Sequence, residues 1–438
     1  MKKFLALLLA LAMMFSLVAC GASKTEEPAN DGEATDTIKI GALLPLSGSF
    51  ATSGNTLKTS LEYAVDMINN EFGGIQNLGG AKLEIVYGDT QADPEVAVTE
   101  FERLINKEKV DILVGGHNTG VANTLSQYVI ANDAIMVMDG ATGGDAYTVE
   151  NDNVYHVAMT NGTFQVDVDA QEQFRKDNFP GYKGGKVYCS LYAADDVGRT
   201  AFQTLLDNKD ASGVDEIIGI GIESGATDLS SQLSKLKGRS DVEYISPTVG
   251  TQDAQLFLKQ CKEYDITIPI FAGGAGFMVA DFLEQVGDAG DYIYSYALWM
   301  PDYCRVSWDP EKAYAVNDYC YDKLGYYTDE SWSYMWEAIW TIWDVLERTA
   351  SMDKADLKDA FKATNITGDH MALLMSVHES ISFETVTATN GVTYYNQNPN
   401  GNLLWGMAKD GAYHIVWPEK WADPEYPWVY PLPSWSER

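Results

Sequence analysis

Basic residues are scarce in this 438-residue chain, where 30 Lys and Arg stand against 63 Asp and Glu and leave a formal charge of −33 at pH 7. A nucleic-acid backbone would be repelled by that field, so nucleic acid is excluded as a partner. An anionic lipid surface is excluded for the same reason, and any membrane association must come through a covalent anchor. Histidine is nearly as scarce: His117, His156, His370, His378 and His414 form no H-E-x-x-H or related spacing, and no metal site is expected. The chain lacks a G-x-S-x-G nucleophile elbow and a G-x-x-x-x-G-K-[ST] phosphate loop, and Gly273-Gly274-Ala275-Gly276 does not complete G-x-G-x-x-G. No catalytic residue can be nominated and no cofactor is implied. So many acids bring some carboxylates together by chance, so composition alone leaves a glycosidase open. Only five cysteines are present. Cys189 sits within an apolar strand and reads as a buried thiol, while Cys304 and Cys320 are the closest pair for a disulfide, with connectivity open.

Lys2 and Lys3 precede an almost wholly apolar stretch from Phe4 to Val18 that ends in Leu17-Val18-Ala19-Cys20. It is short for a membrane span and reads as an export signal over residues 1–19. Leu-Val-Ala-Cys resembles a bacterial lipoprotein processing box, which implies cleavage before Cys20 and a lipid on its sulfur. Residues 20–36 carry Ser, Thr, Glu, Pro, Asn, Asp and Gly without apolar periodicity, the composition of a flexible tether.

The remainder, at 46% hydrophobic residues overall, is long enough for two cores. Ile38 to Leu44 reads as a strand, followed by a small-residue turn from Pro45 to Gly54. A helix comes next, with Leu57, Leu61, Ala64, Val65 and Ile68 on one face and Gly73-Gly74 as its stop. Strand and helix keep alternating: strands at 82–87, 111–114 and 134–138, then a second set at 186–191, 216–220, 242–245 and 269–272. Apolar strands without period-2 alternation are covered by helices on both faces, so two doubly wound α/β sheets are expected. From Pro310 the pattern turns helical, and Trp332, Trp336, Ile339, Trp340 and Trp343 form an aromatic stripe best read as core. Short strands near 381–383, 403–408 and 414–417 precede a tail, residues 419–438, rich in Pro, Trp and Tyr and read as extended along the surface.

Two consecutive strand-turn-helix units draw the functional reading. Asp111 to Val114 runs into Gly115-Gly116-His117-Asn118-Thr119-Gly120, and Ala134 to Met138 runs into Asp139-Gly140-Ala141-Thr142-Gly143-Gly144. Both turns are small, glycine-rich and carry a hydroxyl, and Asn118 or Thr119 can cap the following helix. Beyond the carboxyl ends of parallel strands, open N–H groups and helix N-termini favour an anionic group such as a carboxylate. The plainer alternative is that the two threonines only cap helices.

With Ile38-Lys39-Ile40-Gly41, Pro45-Leu46-Ser47-Gly48, Gly88-Asp89-Thr90, Asp93-Pro94, Gly140-Ala141-Thr142 and Asp195-Asp196-Val197-Gly198 in this order, the chain resembles the type I periplasmic (solute-binding) proteins of ABC importers, in particular the leucine/isoleucine/valine-binding branch. The resemblance implies two Rossmann-like lobes joined by three crossover strands, near 158–161, 298–301 and 383–386. Lobe 1 then comprises 37–159 plus 301–383 and lobe 2 comprises 160–300 plus 384–418. It also implies a carboxylate held by Asn118, Thr119, Gly140, Ala141 and Thr142, with Ser53 from lobe 1 and Tyr192, Asp196, Thr248 and Gly274 from lobe 2 completing the pocket. The family's acidic residue at Gly274 and its aromatic near Ser53 are missing here. A small carboxylate-bearing ligand, an ABC permease as membrane partner, a monomeric state and an extracytoplasmic location follow as expectations. A sensor module of the same fold and an exported hydrolase are the rivals.

Overall fold

The computed structural model describes residues 37–48, 50–141, 144–158, 176, 186–210, 214–223, 225–273, 276–278, 282–387 and 391–438. Cys20 and the tether therefore lie outside the described residues, as do Thr142 and Gly274. In the first lobe β1 (Thr37–Leu44), β2 (Lys82–Asp89), β3 (Ile112–Gly115), β4 (Met136–Met138) and β5 (Val154–His156) alternate with α1 (Ala51–Asp66), α2 (Pro94–Arg103) and α3 (Thr119–Ala131). Alternate residues of β1 explain the two covered faces. Ile38, Ile40, Ala42 and Leu44 enter the core shared with α1, while Leu43 packs with Ala97, Phe101, Val121 and Leu125 on the other side.

The second lobe repeats the plan. Strands β6 (Val187–Ala193), β7 (Glu216–Ile222), β8 (Ile245–Thr248), β9 (Ile270–Gly273) and β10 (Ile293–Ala297) are joined through α4 (Asp196–Asn208), α5 (Ser230–Leu233), α6 (Thr251–Glu263) and α7 (Phe282–Val286). The chain then returns to the first lobe as α8 (Pro310–Leu324), α9 (Glu330–Thr349) and α10 (Lys354–Lys362), followed by a small ladder of β11 (Asn365–Thr367) with β12 (Ser380–Ser382). On α9 the tryptophans Trp332, Trp336 and Trp340 are fully buried against α1, which settles the aromatic stripe as core. Aspartates Asp93, Asp195, Asp309, Asp329 and Asp353 each accept backbone N–H groups at the starts of α2, α4, α8, α9 and α10, so part of the acidic excess is helix capping.

The last strands are β13 (Glu384–Thr387), β14 (Thr393–Gln397), β15 (Leu404–Lys409) and β16 (Ala412–Trp417). They give sheet orders β13-β14-β5-β4-β3-β1-β2 and β16-β15-β10-β9-β8-β6-β7. This corrects the expected boundary at residue 384. The β13–β14 hairpin extends the first sheet through Gln397 opposite His156, and the chain leaves for the second sheet only over 398–403. Asn398 fixes the point of departure, its backbone N–H donating to His156 O and its side chain to Val157 O. Ala158, Leu298 and Leu403, one from each passage between the sheets, share a buried cluster with Tyr334, Tyr294 and Trp405.

Three further expectations change. Strand β8 begins three residues later than expected and runs through Pro247, although a proline removes one ladder donor. All four described cysteines are free and buried, so Cys304 and Cys320 are not bonded to each other and Cys189 is the buried thiol it was read as. The tail is more than a surface strip. Arg305 holds its start between Asp302 and Asp423, Tyr294 Oη bonds both the N–H and the carbonyl of Val429, and Trp435 Nε1 donates to Ile266 O.

Candidate functional site

Each sheet has a switch point, where the first strand has its sequence neighbour on one side and the third strand on the other. In the first sheet it lies between β1 and β3; in the second, between β6 and β8. Turns leaving such adjacent strands diverge and open a crevice, the usual place for a ligand in this kind of sheet.

In the first lobe the turn after β1 is organised from β2. Asp89 accepts the N–H groups of Leu46, Ser47 and Gln91 and the hydroxyl of Ser47. Burial pushes the Asp89 carboxyl up, but these donors outweigh it and hold it below the usual carboxylate range. Ser53 lies one turn into α1 and is half-buried. At the end of β3, Gly115 adopts φ +121°, and a Cβ there would stand 2.2 Å from Leu43 O, so only glycine lets β1 and β3 approach this closely.

Asn118 occupies the N-cap of α3 without capping it: its side chain bonds no helical N–H, and its buried Oδ1 has no partner. Thr119 is exposed, and among the described residues its hydroxyl has no hydrogen-bond partner. The first turn of this 13-residue helix is thus left open, with its N–H groups and a free hydroxyl at the crevice.

Beside it, Gly140 is pressed between two side chains: a Cβ there would lie 2.6 Å from Tyr334 Cδ2 and 2.9 Å from His117 Nδ1. Ala141 is 1% exposed and its carbonyl accepts from Tyr147 Oη at 2.8 Å, a bond that fixes the turn and leaves its backbone N–H as the group a carboxylate would meet. Side chains that sequence spacing did not connect also gather here. His117 Nδ1 stands 3.6 Å from Asp139 Oδ2, and Tyr334 Oη donates to Glu330 Oε2 at 3.2 Å.

In the second lobe a cavity of about 460 Å³ opens at the switch point, lined by Ala194, Asp195, Glu223, Gly250, Thr251 and Asp253 among others. Tyr192 does not reach into it in the expected way, because its ring stacks on Phe202 of α4 at 4.6 Å. Thr248 is exposed at the end of β8, and Asp196 opens α4. The acid expected near Gly274 has counterparts from other turns. Asp195 caps α4, Glu223 is paired with Arg199 at 2.8 Å, and Asp253 stands in the first turn of α6 with its pKa raised by burial. The spacing of Asp253 after β8 was visible in the sequence, but only the sheet order brings it to the β6 turn.

A family model of periplasmic binding proteins matches residues 37–380. The chain belongs to that family. Its members are extracytoplasmic solute-binding proteins, not enzymes, and this chain falls in the leucine/isoleucine/valine-binding branch. A Leu/Ile/Val-binding protein homologue of Brucella abortus is 26% identical over 270 residues, which span 62% of this chain and 69% of the relative. Among solved structures, the branched-chain amino acid binding protein LivJ of Streptococcus pneumoniae, in complex with isoleucine, has a TM-score of 0.61 at 19% identity, covering 87% of this chain and 100% of that one. A solute-binding protein of Rhodopseudomonas palustris, in complex with 3,4-dihydroxybenzoic acid, has a TM-score of 0.62 at 17% identity, covering 86% and 95%. At such identities the two structures establish the shared two-lobed fold.

Proposed function

We propose that this protein captures a small, amino-acid-like carboxylate between its lobes and delivers it to the membrane permease of an ABC importer. It works as a monomer held at the outer face of the cell membrane by a lipid on Cys20. The observation that carries the ligand class is the uncapped first turn of α3. Among the described residues no side chain caps its N–H groups and none bonds the Thr119 hydroxyl, and a carboxylate supplies acceptors for them. Isoleucine and 3,4-dihydroxybenzoic acid, held by two proteins of the same fold, have a carboxyl group in common. The lobes close on the solute as a hinge because groups from both switch points then touch it together.

Removing one hydrogen bond to a charged group costs about 1.5–3 kcal/mol, so Thr119→Ala should weaken carboxylate binding by about tenfold or more in calorimetry. An unchanged Kd would sink the assignment. Anchoring is tested separately, by fractionation: Cys20→Ser should release a still-folded protein from membranes, and retention of the serine variant there would exclude the lipid.

A further inference from the structure

Asp302, His414 and Asp423 meet where the C-terminal tail leaves β16, and none of them belongs to the switch-point turns. Each offers one ligand atom, and these atoms lie within 4.8 Å of one another. They come from three elements: Asp302 from the turn Pro301–Val306, His414 from β16 and Asp423 from the tail. Spacing along the chain could not join them, which is why the scarce histidines gave no metal site in the sequence.

Backbone bonds hold all three in place. Asp302 Oδ2 accepts from Ile415 N at 2.8 Å; Asp423 gives its own N–H to Ile415 O at 2.7 Å, and its Oδ1 accepts from Glu425 N at 2.9 Å. The His414 ring stacks on Tyr426 with centroids 3.4 Å apart, and its Nε2 donates to Lys409 O at 3.2 Å. A backbone carbonyl on one ring nitrogen fixes the tautomer and leaves Nδ1 with a lone pair, the arrangement usual for a metal-binding histidine. That lone pair faces Asp423 Oδ2 at 3.9 Å, too long for a hydrogen bond, and among the described residues neither atom has a hydrogen-bond partner. Arg305 is the cation already present. It stands 3.4 Å from Asp302 Oδ2 and 3.7 Å from Asp423 Oδ2, beyond the about 2.7–2.9 Å of a charge-assisted bond, and its short bond, 2.7 Å, goes to Trp421 O. One guanidinium against two carboxylates leaves a negative charge over. The three ligand side chains are 11% to 15% exposed, shielded enough to hold an ion and open enough to admit one.

We infer that Asp302, His414 and Asp423 bind a divalent transition-metal ion, with zinc the best match to one imidazole nitrogen and two carboxylates. Metal bonds of about 2.0–2.2 Å put two ligands of one ion about 3–4 Å apart, so the cluster has to contract by less than about 1 Å. Water fills the coordination positions that three protein ligands leave open. The bound ion ties the tail to β16 and to the turn that follows the second passage between the sheets, so its effect falls on the attachment of the tail.

The mature chain, cleared of metal with a chelator, is titrated with zinc, manganese and calcium near neutral pH by calorimetry, with hydrogen exchange followed on the same samples. The expected result is one equivalent of zinc bound more tightly than calcium, amide protection over residues 412–426 on binding, and a tenfold or greater loss of zinc affinity in both His414→Gln and Asp423→Asn. His370→Gln alters another half-buried histidine beside an acid, Asp344 at 3.8 Å, and should bind zinc as the parent does. Calcium bound as tightly as zinc, protection confined to other segments, undiminished zinc binding by His414→Gln, or no zinc binding at all overturns the site. The last outcome means that Nδ1 carries a proton toward Asp423. The exchange measurement uses the unaltered protein, so it decides the question even where a variant fails to fold.

Discussion

His156 ends β5, stacks on Tyr147 with ring centroids 4.4 Å apart, and shares a hydrogen bond of 3.0 Å between Nδ1 and Gln397 Oε1. Its Nε2 is buried without a partner. Burial lowers its pKa from 6.5 to about 4, against smaller opposing effects of Gln397 and Asp139 and a reinforcing one from His378. Between those two values the unfolded chain binds a proton that the folded chain refuses, so stability rises with pH there and is lost as pH falls from 6.5 toward 4. At about 1.4 kcal/mol per unit the loss amounts to roughly 3 kcal/mol, a large share of a typical folding free energy. His156→Gln removes the titrating group at a fixed offset for the altered hydrogen bond. Urea unfolding near neutral pH and near pH 4 should show a loss for the parent that exceeds the loss for the variant by roughly that 3 kcal/mol, because the carboxylates and the other histidines titrate equally in both. Parallel pH profiles would refute the reasoning and mean that His156 gains a partner for its charge.

Trp340, fully buried among Trp336, Trp343 and Phe72, should cost about 3–5 kcal/mol in urea unfolding when replaced by alanine, and the half-buried Trp343 clearly less. A loss below about 1 kcal/mol for Trp340→Ala would show that the stripe is not packed as core. Trp435→Ala removes a hydrogen bond to Ile266 O and the platform under Arg438, 3.7 Å away, and should destabilise by about 1–2 kcal/mol. If deleting residues 418–438 leaves the melting temperature unchanged, the tail is not part of the second lobe's packing.

Most of the fold was legible because its signals are local. Ile38, Ile40, Ala42 and Leu44 state a strand, and Leu57, Leu61, Ala64 and Val65 state a helix face, with no reference to distant residues. The tryptophans of α9 were equally plain, since a turn-spaced row of the largest apolar side chains has few other uses. The errors fell where a choice depended on pairing. Glu384 to Thr387 looks like a strand in either lobe; only hydrogen bonding through β14 to β5 assigns it to the first. The tail's composition gave its extended form, but its anchors, Tyr294 and Ile266, are more than a hundred residues away and carry no mark of the contact.

The site divides along the same line. The turn from β3 into α3 could be read directly, because strand, glycines, hydroxyl and helix follow one another within ten residues, but that Asn118 leaves the helix uncapped could not. The bond from Tyr147 Oη to the Ala141 carbonyl, six residues back, could not be read, because it depends on a turn whose geometry the sequence does not state. The meeting of β4 and α9 was illegible for a stronger reason. Asp139 stands out by its place at the end of β4, whereas Asp329, which caps α9, and Glu330, in its first turn, have adequate local explanations. Nothing in the sequence says that β4 and α9 meet at Gly140. Burial raises the pKa of both Asp329 and Glu330, so the fold favours their neutral forms. That burial arises only where β4 and α9 come together in the folded chain.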